Sequence, residues 1–147
     1  MEGKCLCGSV SFRLFIDDLK IYQRFCSLCQ KQSGTESNLA TIVPEKKFEF
    51  LSGIGAISSW AKDTGFTSDF CKHCGSPVPN RLRNKAFFWV PVGLLNSGAS
   101  GKVASHIYTD SRRNVIRDHE IEEFGEFPDG GIDSHINKIS GSSRPLP

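Results

Sequence analysis

The chain contains 147 residues, which suits one domain with a modest hydrophobic core. Hydrophobic residues make up 38% and charged residues 23%, the balance typical of a soluble globular protein. The net charge is only +2, and the 18 basic and 16 acidic residues are interleaved. This pattern argues against a nucleic-acid partner, which needs a clustered basic face.

Neither a membrane span nor an export signal is visible. The longest apolar run, residues 86–92, is far too short to cross a bilayer. The first residues, Met-Glu-Gly-Lys-Cys-Leu-Cys, lack the apolar segment of a signal peptide. We therefore predict a cytoplasmic protein without a membrane partner. In that reducing compartment, closely spaced cysteines indicate metal or redox sites rather than structural disulfides.

Short strands dominate the predicted structure. Alternating or β-branched apolar residues predict strands at 9–14, 39–43, 47–50, 66–70, 86–90 and 103–108. Short helices are predicted at 29–32 and 94–97, and no segment is assigned a sustained helical stripe. The fold class is mostly β, with short antiparallel strands and loops in a single zinc-stapled domain over residues 3–130. Residues 131–147 form a C-terminal extension, which we expect to be mobile from Gly141.

The most informative feature is a set of six cysteines in three close pairs. Two of these pairs have C-x-x-C spacing, which lets two sulfurs converge on one ion, and two pairs complete the tetrahedron that zinc prefers, with Zn–S near ~2.3 Å. The pairs are Cys5 with Cys7, Cys26 with Cys29, and Cys71 with Cys74.

Local features favour a joint site for the first and third pairs. Gly8 follows the first pair and Gly75 follows the third, and each removes a Cβ where the backbone must curl toward a metal. Closing the long loop between the pairs costs several kcal/mol. Structural zinc binding, roughly 10–16 kcal/mol, offsets that cost. The spacing is compatible with this grouping but does not settle it.

The middle pair, Cys26 and Cys29, then has two thiolates and no partner pair. A metal held by two protein ligands keeps an open position, as catalytic metals do. On that interpretation both cysteines are catalytic. The alternative is a vacant thiol pair or a redox-active C-x-x-C motif.

Three segments resemble the motifs of one known family. Residues 3–12 (GKCLCGSVSF) look like the G-x-C-x-C-G-x-V-x-F opening of the glutathione-dependent formaldehyde-activating (GFA) family. Residues 26–34 (CSLCQKQSG) look like its C-x-x-C-R-x-x-S/T-G segment, and residues 70–76 (FCKHCGS) match F-C-x-x-C-G-S/T. The resemblance extends from about Gly3 to about Pro128.

The resemblance implies a mostly-β fold held by a structural zinc on Cys5, Cys7, Cys71 and Cys74. It also implies a second, more labile zinc site at Cys26 and Cys29. The activity attached to the family is condensation of formaldehyde with glutathione to S-hydroxymethylglutathione, a carbon–sulfur lyase reaction. The expected partner is therefore a small-molecule thiol such as glutathione.

The chain departs from the family pattern at the middle motif, which usually reads C-H-C-x-x-C. Here Arg24 and Phe25 occupy the first two positions. Arginine stays protonated and cannot ligate a metal. A guanidinium ~5 Å from zinc would repel it by roughly 6 kcal/mol at an effective dielectric near 20. We therefore expect one firmly bound zinc and a second site that is partly filled or empty.

Two functional hypotheses remain open. In the first, the chain is a carbon–sulfur lyase, and Arg24 binds a substrate carboxylate. In the second, it is a non-catalytic zinc-stapled binding module with a degenerate second metal site. His106 and His119 are further candidates for the missing ligand.

Overall fold

The computed structural model describes residues 1–113, 124–126 and 128–140 of the chain. These residues fall in two compact units, Met1–Val115 and Ile116–Pro147. The predicted domain boundary at residue 130 stays a prediction. His119 and the extension from Gly141, for which we predicted mobility, lie outside the described residues. No helix in the described ranges is long and apolar enough to cross a membrane.

The first unit begins with a three-stranded antiparallel sheet. Phe12 and Leu14 are buried while Ser11 and Arg13 between them are partly exposed, which confirms the predicted alternation. The strands are β1 (Glu2–Lys4), β2 (Ser11–Leu14) and β5 (Phe48–Ser52), in the order β1-β2-β5.

A five-stranded sheet follows. Its strands are β3 (Leu19–Arg24), β4 (Asn38–Pro44), β8 (Asn80–Arg81), β9 (Phe87–Pro91) and β10 (Gly101–Ile107). They lie in the order β10-β3-β4-β9-β8. Neighbours are antiparallel except β10, which pairs parallel to β3. This pair is the exception to the predicted antiparallel pattern. A separate antiparallel ribbon joins β6 (Ile57–Ala61) to β7 (Thr67–Cys71).

The short helix α1 (Ser27–Ser33) contains the predicted segment 29–32. Cys26 is its N-cap, and its sulfur accepts a hydrogen bond from the Cys29 backbone N–H at 3.4 Å. The helix ends at Gly34, whose φ of 69° is left-handed. The predicted helix at 94–97 was wrong, because the structure has a 3-10 turn at Val92–Leu94 instead.

The second unit contains helix α2 (Gly131–Ser140), which the sequence interpretation missed. Ile132, Ile136 and Ile139 follow helical i, i+4, i+7 spacing, so a signal was present in the sequence. The Lys138 ammonium lies 5.6 Å from the centre of the Phe124 ring.

The core of the first unit consists of two connected clusters. One contains Cys5, Val10, Cys71 and Val78, and Phe50 and Leu94 pack against both clusters. The other consists of Phe12, Leu14, Val43 and Val90. Two of the six cysteines, Cys5 and Cys71, are therefore members of the first core cluster.

Candidate metal centre and cavity

Four cysteine sulfurs from two distant segments meet at one point. The Sγ atoms of Cys5, Cys7, Cys71 and Cys74 all lie within 4.8 Å of one another. Cys5 Sγ is 3.6 Å from Cys7 Sγ, which is 3.8 Å from Cys71 Sγ. Two ligands of a tetrahedral zinc with Zn–S near 2.3 Å are separated by about 3.8 Å. The donor set and its spacing therefore fit a metal ion, and both are consistent with zinc.

Two similar backbone turns present these sulfurs. The Gly8 N–H donates to the Cys5 carbonyl at 2.9 Å, and the Gly75 N–H donates to the Cys71 carbonyl at 2.8 Å. The φ angles of the two glycines are 77° and 74°, in the left-handed region that favours glycine. The prediction that these glycines let the chain curl at the site is confirmed.

Serines set the charge state of the two more accessible sulfurs. Hydrogen bonds from the Ser76 hydroxyl and backbone lower the pKa of Cys74 to about 5. Ser9 likewise lowers the pKa of Cys7. Burial instead raises the pKa of Cys71 to about 11. Cys74 is thus a thiolate near neutral pH, and the pKa of Cys7 is shifted in the same direction, toward the thiolate that binds metals.

The turns are also bonded to each other. The Leu6 backbone N–H donates to Ser76 Oγ at 3.1 Å, and the Val10 N–H donates to Cys5 Sγ at 3.3 Å. Hydrogen bonds around the ligands hold them in position and tune their affinity for the metal. The cluster is therefore supported by groups beyond its four sulfurs.

The middle pair has a different geometry. Cys26 Sγ and Cys29 Sγ are hydrogen-bonded at 2.9 Å, and both residues are buried. In the described residues the four-cysteine cluster is the only grouping of three or more His, Cys, Asp or Glu side chains placed to hold a metal. As positioned, two sulfurs at this distance do not span two corners of a zinc tetrahedron, and they would have to separate by about 0.9 Å. Metal binding by Cys26 and Cys29 stays a prediction.

The two thiols of the middle pair titrate very differently. Burial, together with the adjacent Cys26 sulfur, raises the pKa of Cys29 to about 12. Burial also acts to raise the pKa of Cys26, but hydrogen bonds with Cys29 and the charge of Arg24 leave it below its ordinary value. The pair therefore loses its first proton from Cys26 rather than from Cys29.

Arg24 lies at the end of β3, next to this pair. Its guanidinium carbon is 4.5 Å from the centre of the Tyr108 ring. Its Nε is buried and has no hydrogen-bond partner among the described residues. Although burial opposes it, the negative charge of Cys29 and Cys26 raises the pKa of Arg24 further. Arg24 is therefore a permanent cation beside the two sulfurs.

Gln30 anchors the segment that carries the pair, a role the sequence interpretation missed. Its Nε2 donates to the Phe25 carbonyl at 2.7 Å and to the Ser111 carbonyl at 3.0 Å. Phe25 is itself buried, beneath the Arg112 guanidinium at 4.1 Å. These contacts hold the backbone that leads directly into Cys26.

A cavity of about 620 Å³ opens beside the pair. Cys29 and Arg24 lie on one wall, and Tyr22 and Trp89 contribute aromatic surface from the sheet. None of the described residues that line it is acidic, whereas three arginines do so. The cavity therefore favours a negatively charged ligand. The arginines are Arg24, Arg81 and Arg83.

The arginines other than Arg24 were not identified from the sequence. Arg81 and Arg83 carry no motif. They reach the cavity because Arg81 ends β8, the edge strand of the sheet that also contains β3, and Arg83 follows two residues later. His106, considered as a ligand for the middle pair, is exposed and packs edge-on against Phe25 with ring centres 5.7 Å apart.

Comparison with known proteins agrees with the motifs. The family model "Glutathione-dependent formaldehyde-activating enzyme" matches residues 1–111, somewhat less than the span predicted from the motifs. No curated protein matches the chain significantly. A crystal structure of a Rhodobacter sphaeroides protein is similar in fold, with 22% identity and a TM-score of 0.57 over 72% of this chain and 99% of that one. The family match covers most of the chain, and on that ground the chain belongs to the glutathione-dependent formaldehyde-activating enzyme family.

Proposed function

We propose that the chain binds an anionic low-molecular-weight thiol of the glutathione type in the cavity beside Cys29. There it acts on the adduct of that thiol with formaldehyde, as a carbon–sulfur lyase. The observation that carries this proposal is the cavity of about 620 Å³, which combines a cysteine wall with three arginines and no described acidic residue.

Two of the three charges in the cavity are available to a ligand. Arg24 and Arg83 form no ion pair within the described parts of the chain. Arg81 is already bonded to Glu45, with an N–O distance of 2.9 Å. A guanidinium binds a carboxylate through two parallel hydrogen bonds. A thiol with two carboxylates could therefore contact Arg24 and Arg83 together.

The chemistry needs a thiolate and a place for the developing oxyanion. In the forward direction the thiolate sulfur bonds to the formaldehyde carbon, the carbonyl electron pair moves to oxygen, and that oxygen takes a proton. The fixed charge of Arg24 favours both the thiolate and the oxyanion. Binding the carboxylates would orient the thiol toward the side of the cavity that contains Cys29, and this orientation brings the reacting groups close together.

A second candidate is a binding module without turnover. The specific observation in its favour is the 2.9 Å sulfur spacing beside Arg24, which suits a second metal ion poorly. On this hypothesis the four-cysteine cluster stabilises the fold, and the cavity only binds the thiol.

Two measurements separate these candidates. Calorimetry measures glutathione binding, and exchange NMR with carbon-13 formaldehyde measures adduct formation and breakdown against the uncatalysed rate. We expect binding for both candidates. Turnover above background that disappears in Cys29→Ala supports the lyase, and binding without turnover supports the module.

Arg83→Gln tests the cavity itself, with Lys85→Gln as the control. Lys85 is an exposed neighbour that does not line the cavity. We expect Arg83→Gln to weaken glutathione binding about fivefold, because an exposed ion pair contributes up to about 1 kcal/mol. Equal affinity of both variants and the parent, or no binding by the parent, would contradict the proposed function.

A further inference from the structure

The middle cysteines are placed for chemistry that neither a metal site nor a thiol-binding cavity requires. Their sulfurs are 2.9 Å apart, against 3.6 Å and 3.8 Å for neighbouring sulfurs in the four-cysteine cluster of the same chain. A disulfide bond is ~2.05 Å long, so the pair needs to close by only about 0.9 Å. The four-cysteine cluster would have to distort by about twice that amount.

Access to this pair is one-sided. Cys29 lines the cavity, whereas Cys26 is not among the residues that line it. Both residues are buried, Cys29 with 2% and Cys26 with 7% of its surface exposed, and the Cys26 sulfur at the N-cap of α1 is also held by the Cys29 backbone N–H. A reagent in the cavity therefore meets Cys29 first, and Cys26 is in position to react second.

The charged residues around the pair favour an anionic reagent. Arg24 lies beside both sulfurs and lines the cavity. Arg83 adds positive charge at the exposed side of the cavity, and none of the described lining residues is acidic, although Arg81 is paired with Glu45 outside the lining. A small disulfide that carries carboxylates matches this charge.

We propose that Cys26 and Cys29 form a redox-active dithiol that reduces a small anionic disulfide. The Cys29 thiol passes its proton to the Cys26 sulfur 2.9 Å away and attacks one sulfur of the substrate disulfide, whose S–S bond breaks and releases one thiolate. The Cys26 sulfur then gives up its proton to the solvent, attacks the Cys29 sulfur and releases the second thiolate, leaving a Cys26–Cys29 disulfide. The chain loses two electrons and two protons, and the substrate gains both as two thiols. An excess of a small thiol or dithiol reductant reverses the reaction.

This reaction differs from carbon–sulfur chemistry and does not depend on it. No formaldehyde takes part, and the bond that breaks is S–S rather than C–S. A protein that shows no lyase activity can still carry out this reaction, and a protein that shows no thiol–disulfide exchange can still bind glutathione. The two proposals can therefore fail separately.

The test is the number of thiols released from oxidised glutathione by the purified protein. We expect two released thiols per chain from the parent, one from Cys26→Ser, which stops at the mixed disulfide on Cys29, and none from Cys29→Ser. Peptide mass spectrometry after alkylation should find the parent's new disulfide between Cys26 and Cys29, with the other four cysteines alkylated or metal-bound. No release from the parent, or a disulfide formed between Cys71 and Cys74 at the same rate, would overturn the proposal.

A second comparison tests the recognition of charge. Arg83→Gln should slow the reaction with oxidised glutathione roughly tenfold, the lower end of electrostatic rate effects. It should leave the rate with the neutral bis(2-hydroxyethyl) disulfide unchanged, and Lys85→Gln should change neither rate. Equal slowing with both disulfides, or slowing with neither, would contradict selection of an anionic substrate. Melting temperatures of all variants establish that they are folded.

Discussion

The four-cysteine cluster and the middle cysteine pair start from nearly the same local motif and reach different states. Cys71 and Cys74 have the same C-x-x-C spacing as Cys26 and Cys29. Cys71 and Cys74 lie at metal-ligand distances from two more sulfurs, whereas Cys26 and Cys29 lie beside a guanidinium and a cavity. The C-x-x-C spacing brings two sulfurs together. The groups that surround those sulfurs decide whether the pair is placed to bind a metal ion.

The four-cysteine cluster and the middle pair also differ in the charges around their sulfurs. The cluster joins a turn next to β1 with a turn after β7, and serines lower the pKa of two of its thiols. Four thiolates so close together repel one another unless a cation lies between them. At the middle pair Arg24 already supplies a cation, so a further divalent ion gains less there.

The comparison is tested most severely by removing one sulfur from each region. We expect Cys71→Ser to lose roughly 10 kcal/mol of metal-linked stability, comparable to the entire 5–15 kcal/mol of a domain, and to be unfolded or insoluble. Cys26→Ser should stay folded, because a serine oxygen serves as a helix N-cap at least as well as sulfur. Thermal melts measure both variants. Similar melting temperatures would remove the distinction between the regions.

Adding a sulfur to the middle region sharpens the comparison. Arg24→Cys supplies a third thiolate and removes the guanidinium, so the zinc content after dialysis should rise from about one to about two ions per chain. Arg24→Ala is the matched control, because it removes the charge without adding a ligand, and should remain near one. Elemental analysis gives both values. If Arg24→Cys binds no more zinc than Arg24→Ala, position 24 does not face the metal position.

The backbone before Cys26 depends on Gln30. Gln30→Leu removes both hydrogen bonds to the Phe25 and Ser111 carbonyls, and leaving the buried Phe25 carbonyl unpaired should lower the free energy of unfolding by about 2 kcal/mol. Denaturant unfolding measures this loss. Lys31→Leu, at the exposed neighbouring position, should change stability by less than about 0.5 kcal/mol. Equal effects would show that the two hydrogen bonds do not hold this segment.

The smallest expected effect concerns the contacts around the cluster. Ser76→Ala removes the acceptor for the Leu6 N–H and a hydrogen bond to Cys74, so zinc affinity should fall about tenfold with the fold intact. Competition with a chelator measures the affinity. Ser58→Ala, on β6, is a control of the same chemistry and should leave the affinity unchanged. A parent-like affinity for Ser76→Ala would mean that the four sulfurs alone set metal binding.

Much of the fold could be predicted from local patterns in the sequence. The alternation around Phe12 and Leu14 identified β2, and the glycines after two cysteine pairs predicted that the backbone curls there, which it does with left-handed φ angles at Gly8 and Gly75. Both are properties of adjacent residues. The parallel pairing of β10 with β3 could not be found this way, because strand partners are chosen by the packing of the whole sheet.

At the candidate site, the six cysteines, the close spacing within each pair and the guanidinium at position 24 could be identified before the fold was known. Spacing over three residues is a local property, and the charge of arginine holds in any fold. The folded structure was needed to show that the first and third pairs meet and that the sulfurs of Cys26 and Cys29 lie 2.9 Å apart. It also decided that Arg81 and Arg83 share a cavity with Cys29. These are long-range contacts, which depend on closing loops and packing sheets, and no local pattern encodes them.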